Sequence, residues 1–509
     1  MPCVGALMAE GVRAGLMSTP HPLTPPAWTT VMTGRTPGNH GIFDFIWSEH
    51  RGDRVYFTLN NIRDVRAEMI WSMVSRRGGR VTVLNFPFLA PPPKLDGAIV
   101  PGLVSWKHLR RNVHPPELYE KLRSLPEFSA KRAAWDFENE KRATRVIPEE
   151  EREDWVSFHI SRERQWYGIW RFLRREDPCD LSAILIDGVD KLQHVCWDQL
   201  DPAYAGRNGT EESRRVRALC LEYFRELDAF IGEVVESAGD DARIIVVSDH
   251  GFGPTEKVFR LNLWLSKKGY LSWAPTDHLD EAEKMKVEKL VTGHFVHLDW
   301  ANTIAYAQSP ATNGIHIRVA GGSGEGGLAA TEYHAFRNRL IAELLEVKDP
   351  DTGVRVVTKV LKKEEAFPGA HNERCPDLTV VLHDYGFVST LNKEPVVWTR
   401  PGVAGTHRPE GIFLARGPGI AKGGALTRQS ITDVAATVLY SLDLPVPEDL
   451  ESKVIEDAFE PSHLRGRPVV WGPPTQAPDT YAAAPARRAP ENADDAEVFE
   501  RLRALGYVE

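Results

Sequence analysis

Five short segments of the chain place hydroxyl, carboxylate or imidazole groups where a strand ends: Thr24-Pro25-Pro26-Ala27-Trp28-Thr29, the Gly34 to Gly41 turn, Asp190-Lys191-Leu192-Gln193-His194, Asp249-His250-Gly251 and Gly405-Thr406-His407. Asp and His are typical zinc ligands, and a hydroxyl beside a bound cation becomes a usable nucleophile near neutral pH. Together they suit metal-assisted phosphoryl or sulfuryl transfer.

Each segment carries a plainer reading beside the chemical one. Asp190 and His194 are four residues apart, so on a helical turn both reach one ion from a single face; equally, the Asp could cap the helix and the His face solvent. Asp249-His250 follows an apolar run at Ile244 to Val247, where an unpaired buried charge would be costly, and this favours ligation. Gly251 and Gly253 permit the sharp turn that would bring both side chains to one place. Thr24 opens a short helix, Ala27 to Thr33, ended by Gly34. It is either a hydroxyl beside the anion-attracting amides of the helix start or an N-cap. Thr29 and Thr30 read as packed or back-bonded hydroxyls, His40 as a turn residue, His316 as a strand residue and His407, taken singly, as a loop histidine before the run at Gly411, while His21 also competes for a role.

These groups need a scaffold. Short β-branched runs at Arg80 to Leu84, Leu181 to Ile186, Arg243 to Val247, Leu378 to Leu382 and Gly411 to Ala415 read as strands buried on both faces of a sheet. Between them lie helical patterns. The clearest puts Val216, Leu219, Cys220, Tyr223, Phe224, Leu227, Phe230, Ile231 and Val234 on one stripe. Strands alternating with helices give an α/β fold with a mainly parallel sheet. The expected organisation is a core in two parts, 1–256 and 371–472, interrupted by an inserted region at 257–370 and followed by a Pro/Ala-rich linker at 473–491 and a C-terminal helix at 492–509. The glycine-rich run Gly321 to Gly327 lacks a following Gly-Lys-Ser/Thr and reads as a loop, not a phosphate cradle.

Composition narrows the class. A 42% hydrophobic and 26% charged chain of 509 residues is an ordinary globular protein, and a net charge of -9 argues against a general nucleic-acid binder. Five cysteines without C-x-x-C spacing suggest neither a disulfide framework nor a thiolate zinc site. No apolar run approaches the ~20 residues of a membrane span, and Met1 to Gly15 lacks the features of a signal peptide, so a cytoplasmic location is expected and the sequon Asn208-Gly209-Thr210 is read as accidental.

The segments Thr24 to Gly34, Asp190 to His194, Ser248-Asp249-His250-Gly251 and Gly405-Thr406-His407, in this order, resemble the type I phosphodiesterase/nucleotide pyrophosphatase family of the alkaline phosphatase superfamily, in a bacterial-type member. Supporting matches at Leu261 to Leu265, Ile431 to Pro445 and Leu502 to Tyr507 extend the resemblance over nearly the whole chain. It implies an alkaline-phosphatase-like α/β fold, a mainly parallel sheet flanked by helices with an inserted cap. It also implies two divalent ions, zinc by preference: one held by Asp190, His194 and His407, the second by Asp249 and His250, with Thr24 bridging toward it as the nucleophile. The implied reaction is hydrolysis of a small phosphate ester through a phosphothreonine. A phosphomutase, a phosphomonoesterase or a catalytically impaired binding protein on the same scaffold are the alternatives. The Cys/Ser-x-Pro-x-Arg pattern of sulfatases is lacking after Thr24. Two departures from the family pattern stand out. Ala27 occupies the place of an Asn in the nucleotide pyrophosphatase branch. Family members also begin with a buried strand ending in a zinc-ligating Asp, whereas this sequence starts at Met1-Pro2-Cys3 inside what resembles the following helix. An apolar run ending in Asp is therefore expected upstream, and without it the second metal set is one carboxylate short.

Overall fold

Strand Val81–Leu84 runs parallel to Gly97–Val100 on one side and to Leu181–Ile184 on the other in the computed structural model, which describes residues 1–51, 54–134, 149–207, 209–275, 298–309, 311–320 and 326–476. Every residue of Val81–Leu84 and Gly97–Val100 is buried, as the first was expected to be; Gly97–Val100 is a strand the sequence reading did not single out. A second sheet is mixed. Val12–Met17 pairs antiparallel with Glu410–Arg416, which pairs antiparallel with Ile244–Val247, while short strands at Gly424–Ala425 and Gln429–Ser430 lie parallel to Val12–Met17. The α/β class is as expected. Its parallel character holds for the first sheet, whereas Glu410–Arg416 makes the second one mixed.

That antiparallel pairing continues beyond the sheet. The chain from 244 to 260 and the chain from 397 to 416 lie alongside each other as one long ribbon, with Val247 opposite Phe413, Gly251 opposite Arg408 and Phe252 opposite His407. Residues 249, 250 and 407 therefore sit on neighbouring strands at one level. On the helical side, Glu149–Glu176, Gly188–Leu200 and Glu211–Ala238 pack around Trp155, Val156, Leu192, Cys196, Val216, Cys220, Tyr223 and Leu227. The expected stripe on Glu211–Ala238 is thus the buried face, with Leu219, Phe224, Ile231 and Val234 at its margins.

Three strand readings need correction. Leu181–Ile184 and Ile244–Val247, expected to be buried on both faces, contain no fully buried residue. Each is paired on one side only among the described residues, so each is an edge strand with half-covered side chains. Leu378–Leu382, expected beside the other core strands, pairs instead with Val357–Lys362 and Gly314–Ile317, and so shares a sheet with strands of the 257–370 region. Gly11 closes helix Pro2–Glu10, its amide bonding Leu7 O at 3.0 Å. All five cysteines are free. Among the described residues no helix is long and apolar enough to cross a membrane. Asn208, Gly321 to Glu325, most of the linker and the C-terminal helix lie outside the described residues.

The pairing pattern has a measurable consequence. Amide hydrogen exchange should be faster in Ile244–Val247 and Leu181–Ile184 than in Val81–Leu84, which is bonded on both sides. Equal protection in all three strands would contradict the edge assignment.

Candidate metal centre

Helix Thr24–Thr33 is built from its own sequence. Gly34, at φ 65, takes the left-handed position that ends it, and its amide bonds Thr30 O at 2.8 Å. The N-cap is Leu23, so Thr24 is the first helical residue and not the cap. The expectation of several free amides at this end also needs correction. Pro25 and Pro26 carry no N–H, and the Ala27 amide donates to Leu23 O at 3.0 Å. What remains to attract an anion is the helix dipole. Thr29 Oγ1 donates back to Pro25 O at 2.7 Å, as expected. Thr30 Oγ1 instead meets His40 Nε2 at 3.1 Å, so His40 is a buried brace under the helix and more than a turn residue.

Asp190 lies in the first turn of helix Gly188–Leu200 and His194 one turn later. Asp187, not Asp190, holds the N-cap place, and the His194 side chain is only 8% exposed, so neither plainer reading of this pair stands. Strand Val397–Arg408 crosses close to this helix at Gly405, where a Cβ would lie 2.1 Å from Gln193 O. Gly251 likewise serves close approach, since a Cβ there would meet Glu410 O at 2.1 Å; neither it nor Gly253 adopts a left-handed backbone. The two glycines are needed for contact between strands, not for a turn.

The crossing brings all six sequence-derived site residues together. Asp190 Oδ1 lies 3.2 Å from His407 Nε2, 3.5 Å from His194 Nε2 and 3.8 Å from His250 Nε2. His194 and His407 approach through their Nε2 atoms at 3.0 Å. His250 Nε2 lies 3.2 Å from Asp249 Oδ2 and 3.4 Å from Thr24 Oγ1. The His250 and His407 rings stack with centroids 3.4 Å apart, which joins the two expected ligand sets into one cluster. Asp190, His250 and His407 each offer one ligand atom, and these lie within 4.8 Å of one another.

The other face of each imidazole fixes its proton. Nδ1 of His407 faces Pro22 O at 2.7 Å, Nδ1 of His194 faces Gly405 O at 3.1 Å, and Nδ1 of His250 faces Gly251 O at 3.2 Å. A carbonyl only accepts, so each Nδ1 is the N–H donor, and in a neutral ring each Nε2 is left as a lone pair. Lone pairs then face one another and two carboxylates. This acceptor set fits a cation. A tetrahedral zinc with bonds of about 2.0–2.1 Å separates its ligand atoms by about 3.3–3.4 Å, close to the 3.0, 3.2 and 3.5 Å among Asp190, His194 and His407.

Burial works against charge here, and neighbours decide the outcome. Burial raises the Asp190 carboxyl, but His194, His407 and Lys191 outweigh it and hold the group well below the usual carboxylate range. Burial, with His250 adding to it, pushes His407 well below the ordinary imidazole range. Burial also lowers His250, yet Asp249 and then Asp190 reverse the sign and leave it above the ordinary 6.5.

Four side chains of this centre escaped sequence reading. Ser18 Oγ donates to Asp249 O at 2.5 Å, and Lys191 Nζ lies 3.7 Å from Asp190 Oδ2. Phe252 and Phe387 close around the imidazoles, each with its ring centroid 5.1 Å from that of His407. Phe252 adjoins the Asp-His pair and could have been suspected; Phe387 had no signal.

Two outcomes follow for zinc. A protonated His250 cannot ligate, and Asp249 and then Asp190 favour its protonated form against burial. Zinc affinity should therefore fall as pH drops from about 8 to about 6, as a chelator-competition titration would read. An affinity constant over that range would contradict the proton assignment. His407→Ala should strip more zinc on dialysis than Asp249→Ala, because His407 faces both Asp190 and His194. Equal loss would mean that the ligands are divided differently.

A profile described as Type I phosphodiesterase / nucleotide pyrophosphatase matches residues 1–410. No curated protein matches. Among solved structures, an inactive murine ectonucleotide pyrophosphatase/phosphodiesterase 5 in complex with AMP is 15% identical, with a TM-score of 0.48 over 90% of this chain and 94% of that one. The human ectonucleotide pyrophosphatase/phosphodiesterase 5 is 14% identical, with a TM-score of 0.46 over 92% and 94%. The phosphonoacetate hydrolase of Sinorhizobium meliloti 1021 with phosphonoformate is 16% identical, with a TM-score of 0.49 over 87% and 89%. On the profile match, which spans well over half of its length, the chain belongs to the type I phosphodiesterase/nucleotide pyrophosphatase family and is a phosphoric ester hydrolase.

Proposed function

We propose that the chain hydrolyses small phosphate esters, diesters in the first instance, with Thr24 as nucleophile. Asp190, His194 and His407 would hold one divalent cation, and Asp249 and His250, together with Thr24, a second. Zinc suits this nitrogen and oxygen donor set best. When bound, zinc would supply Lewis-acid polarisation of the phosphoryl group and favour the ionised form of a hydroxyl beside it. The observation that carries the reading is the convergence of three Nε2 lone pairs and the Asp190 carboxylate beside the Thr24 hydroxyl, 3.4 Å from His250 Nε2.

The chain's own part is positional. Helix Thr24–Thr33 presents Thr24 at its positive end, where the dipole favours an incoming phosphate. Thr24 Oγ1 attacks phosphorus, the bond from phosphorus to the leaving oxygen breaks, and the alcohol departs. Water then attacks the phosphothreonine and returns Thr24 to its hydroxyl form. Phe252 and Phe387 exclude bulk water from the imidazoles, which strengthens the electrostatics of the centre. Ala27 offers no side-chain donor one turn along the helix, so the reading extends to phosphate esters and not to nucleotides in particular. Substrate choice is assigned to the 257–370 region and its loops.

Thr24→Ala should lower turnover of an aryl phosphodiester by a factor on the order of a thousand or more while zinc content stays largely unchanged. Thr24→Ser should retain measurable activity, and acid quenching during turnover should trap phosphate on Thr24, read by mass spectrometry. Unchanged rates in the alanine variant would move attack from Thr24 to water.

A further inference from the structure

A buried polar network lies behind the turn that carries Asp190. Arg162, whose side chain is 1% exposed, comes from helix Glu149–Glu176 and makes a salt bridge to Asp187. Its second guanidinium arm donates to Asn85 Oδ1 at 3.3 Å. Asn85 in turn donates from Nδ2 to Leu185 O at 2.9 Å and to Asp187 Oδ1 at 3.2 Å. On the next residue of the helix, Glu163 Oε1 accepts the Gly188 amide at 2.8 Å and lies 3.5 Å from the Tyr223 hydroxyl. Gly188 leaves no slack, because a Cβ would sit 2.7 Å from Glu163 Oε1 and 2.6 Å from the Tyr223 oxygen. Residues 185, 187 and 188 are therefore all gripped by side chains from elsewhere in the chain. Asp190 follows two residues later.

We infer that Arg162 and Glu163 are positioning residues, which fix the turn from Leu185 to Gly188 and through it the place of the Asp190 carboxylate. The inference rests on the proposed reading of the metal centre and adds the groups that orient one of its ligands. Neither residue touches Asp190 among the contacts described, so both act through the turn. A metal ligand placed by a rigid support binds more tightly than one free to swing, and loss of such support typically costs 10–100-fold in metal affinity. The two residues should respond differently to conservative change. Burial, reinforced by Asp187, pushes the Glu163 carboxyl up to about 8, so it is largely neutral at pH 7 and glutamine reproduces both its charge and its acceptor oxygen. Arg162 faces an Asp187 carboxyl that it holds low against burial, and only a guanidinium bridges Asp187 and Asn85 together.

The test is zinc affinity of the full chain, measured by competition with a chromophoric chelator and set beside the melting temperature of each variant. Arg162→Met and Glu163→Leu should each lose between about 10-fold and 100-fold in zinc affinity, while Glu163→Gln stays within a few-fold. Arg162→Lys, which keeps the charge but not the fork, should fall between and serves if the methionine variant does not fold. Val156→Ala is the structural control: it removes buried volume from the same helix and should lower the melting temperature without moving zinc affinity. Zinc affinity unchanged in Arg162→Met, or lost equally in Val156→Ala at matched melting temperature, would overturn the inference and leave the proposed function standing. Absence of zinc binding in the unaltered protein would overturn both.

Discussion

The rest of the structure is organised around a group of imidazoles and carboxylates that converge on one place. Three imidazoles give their Nδ1 protons to the carbonyls of Pro22, Gly405 and Gly251, and their Nε2 atoms then point at one another and at Asp190. Leaving a buried acceptor without a partner costs about 1–3 kcal/mol, and more where the group is charged. A bound cation would remove that cost for several of them at once. That gain is what would favour a cation at this place under the proposed reading.

Two features of the fold bring this group together. The long antiparallel ribbon sets His250 beside His407, because the residues flanking them are register partners on adjacent strands. The close crossing at Gly405 then brings helix Gly188–Leu200 against that ribbon, so that Asp190 and His194 arrive from the other side. Helix Thr24–Thr33 adds the hydroxyl. Neither ribbon, crossing nor helix makes a site by itself, and the chemistry arises where the three meet.

Five of the six candidate site residues stood out by type and local spacing: a carboxylate and an imidazole one helical turn apart, an Asp-His pair after an apolar run, and a Thr before two prolines; His407 entered only through the family resemblance, because a lone histidine in a turn has no spacing to mark it. The fold class was legible for a similar reason, since the run at Arg80 to Leu84 is mostly apolar and the stripe on Glu211–Ala238 has helical period, whereas Gly97–Val100 was not read as a strand. What was not legible depends on contacts between distant segments. Val12–Met17 is a short strand containing Arg and Gly, and only its pairing with Glu410–Arg416 makes it one. The edge positions of Leu181–Ile184 and Ile244–Val247 follow from which strands sit beside them, on which an apolar run is silent. The amides at Thr24 could have been read more closely, because the two prolines that remove them stand in the sequence. Arg162 and Glu163 lie in a strongly charged helix where nothing local separates the buried pair from exposed neighbours such as Arg164 and Arg171.

Zinc K-edge X-ray absorption on the zinc-loaded protein tests the central claim most directly, because it reads the donor atoms themselves. The account predicts a first shell of nitrogen and oxygen at about 2.0–2.1 Å, with the outer scattering of imidazole rings and no sulfur. A sulfur shell near 2.3 Å, or a shell of oxygen alone without imidazole scattering, would contradict it.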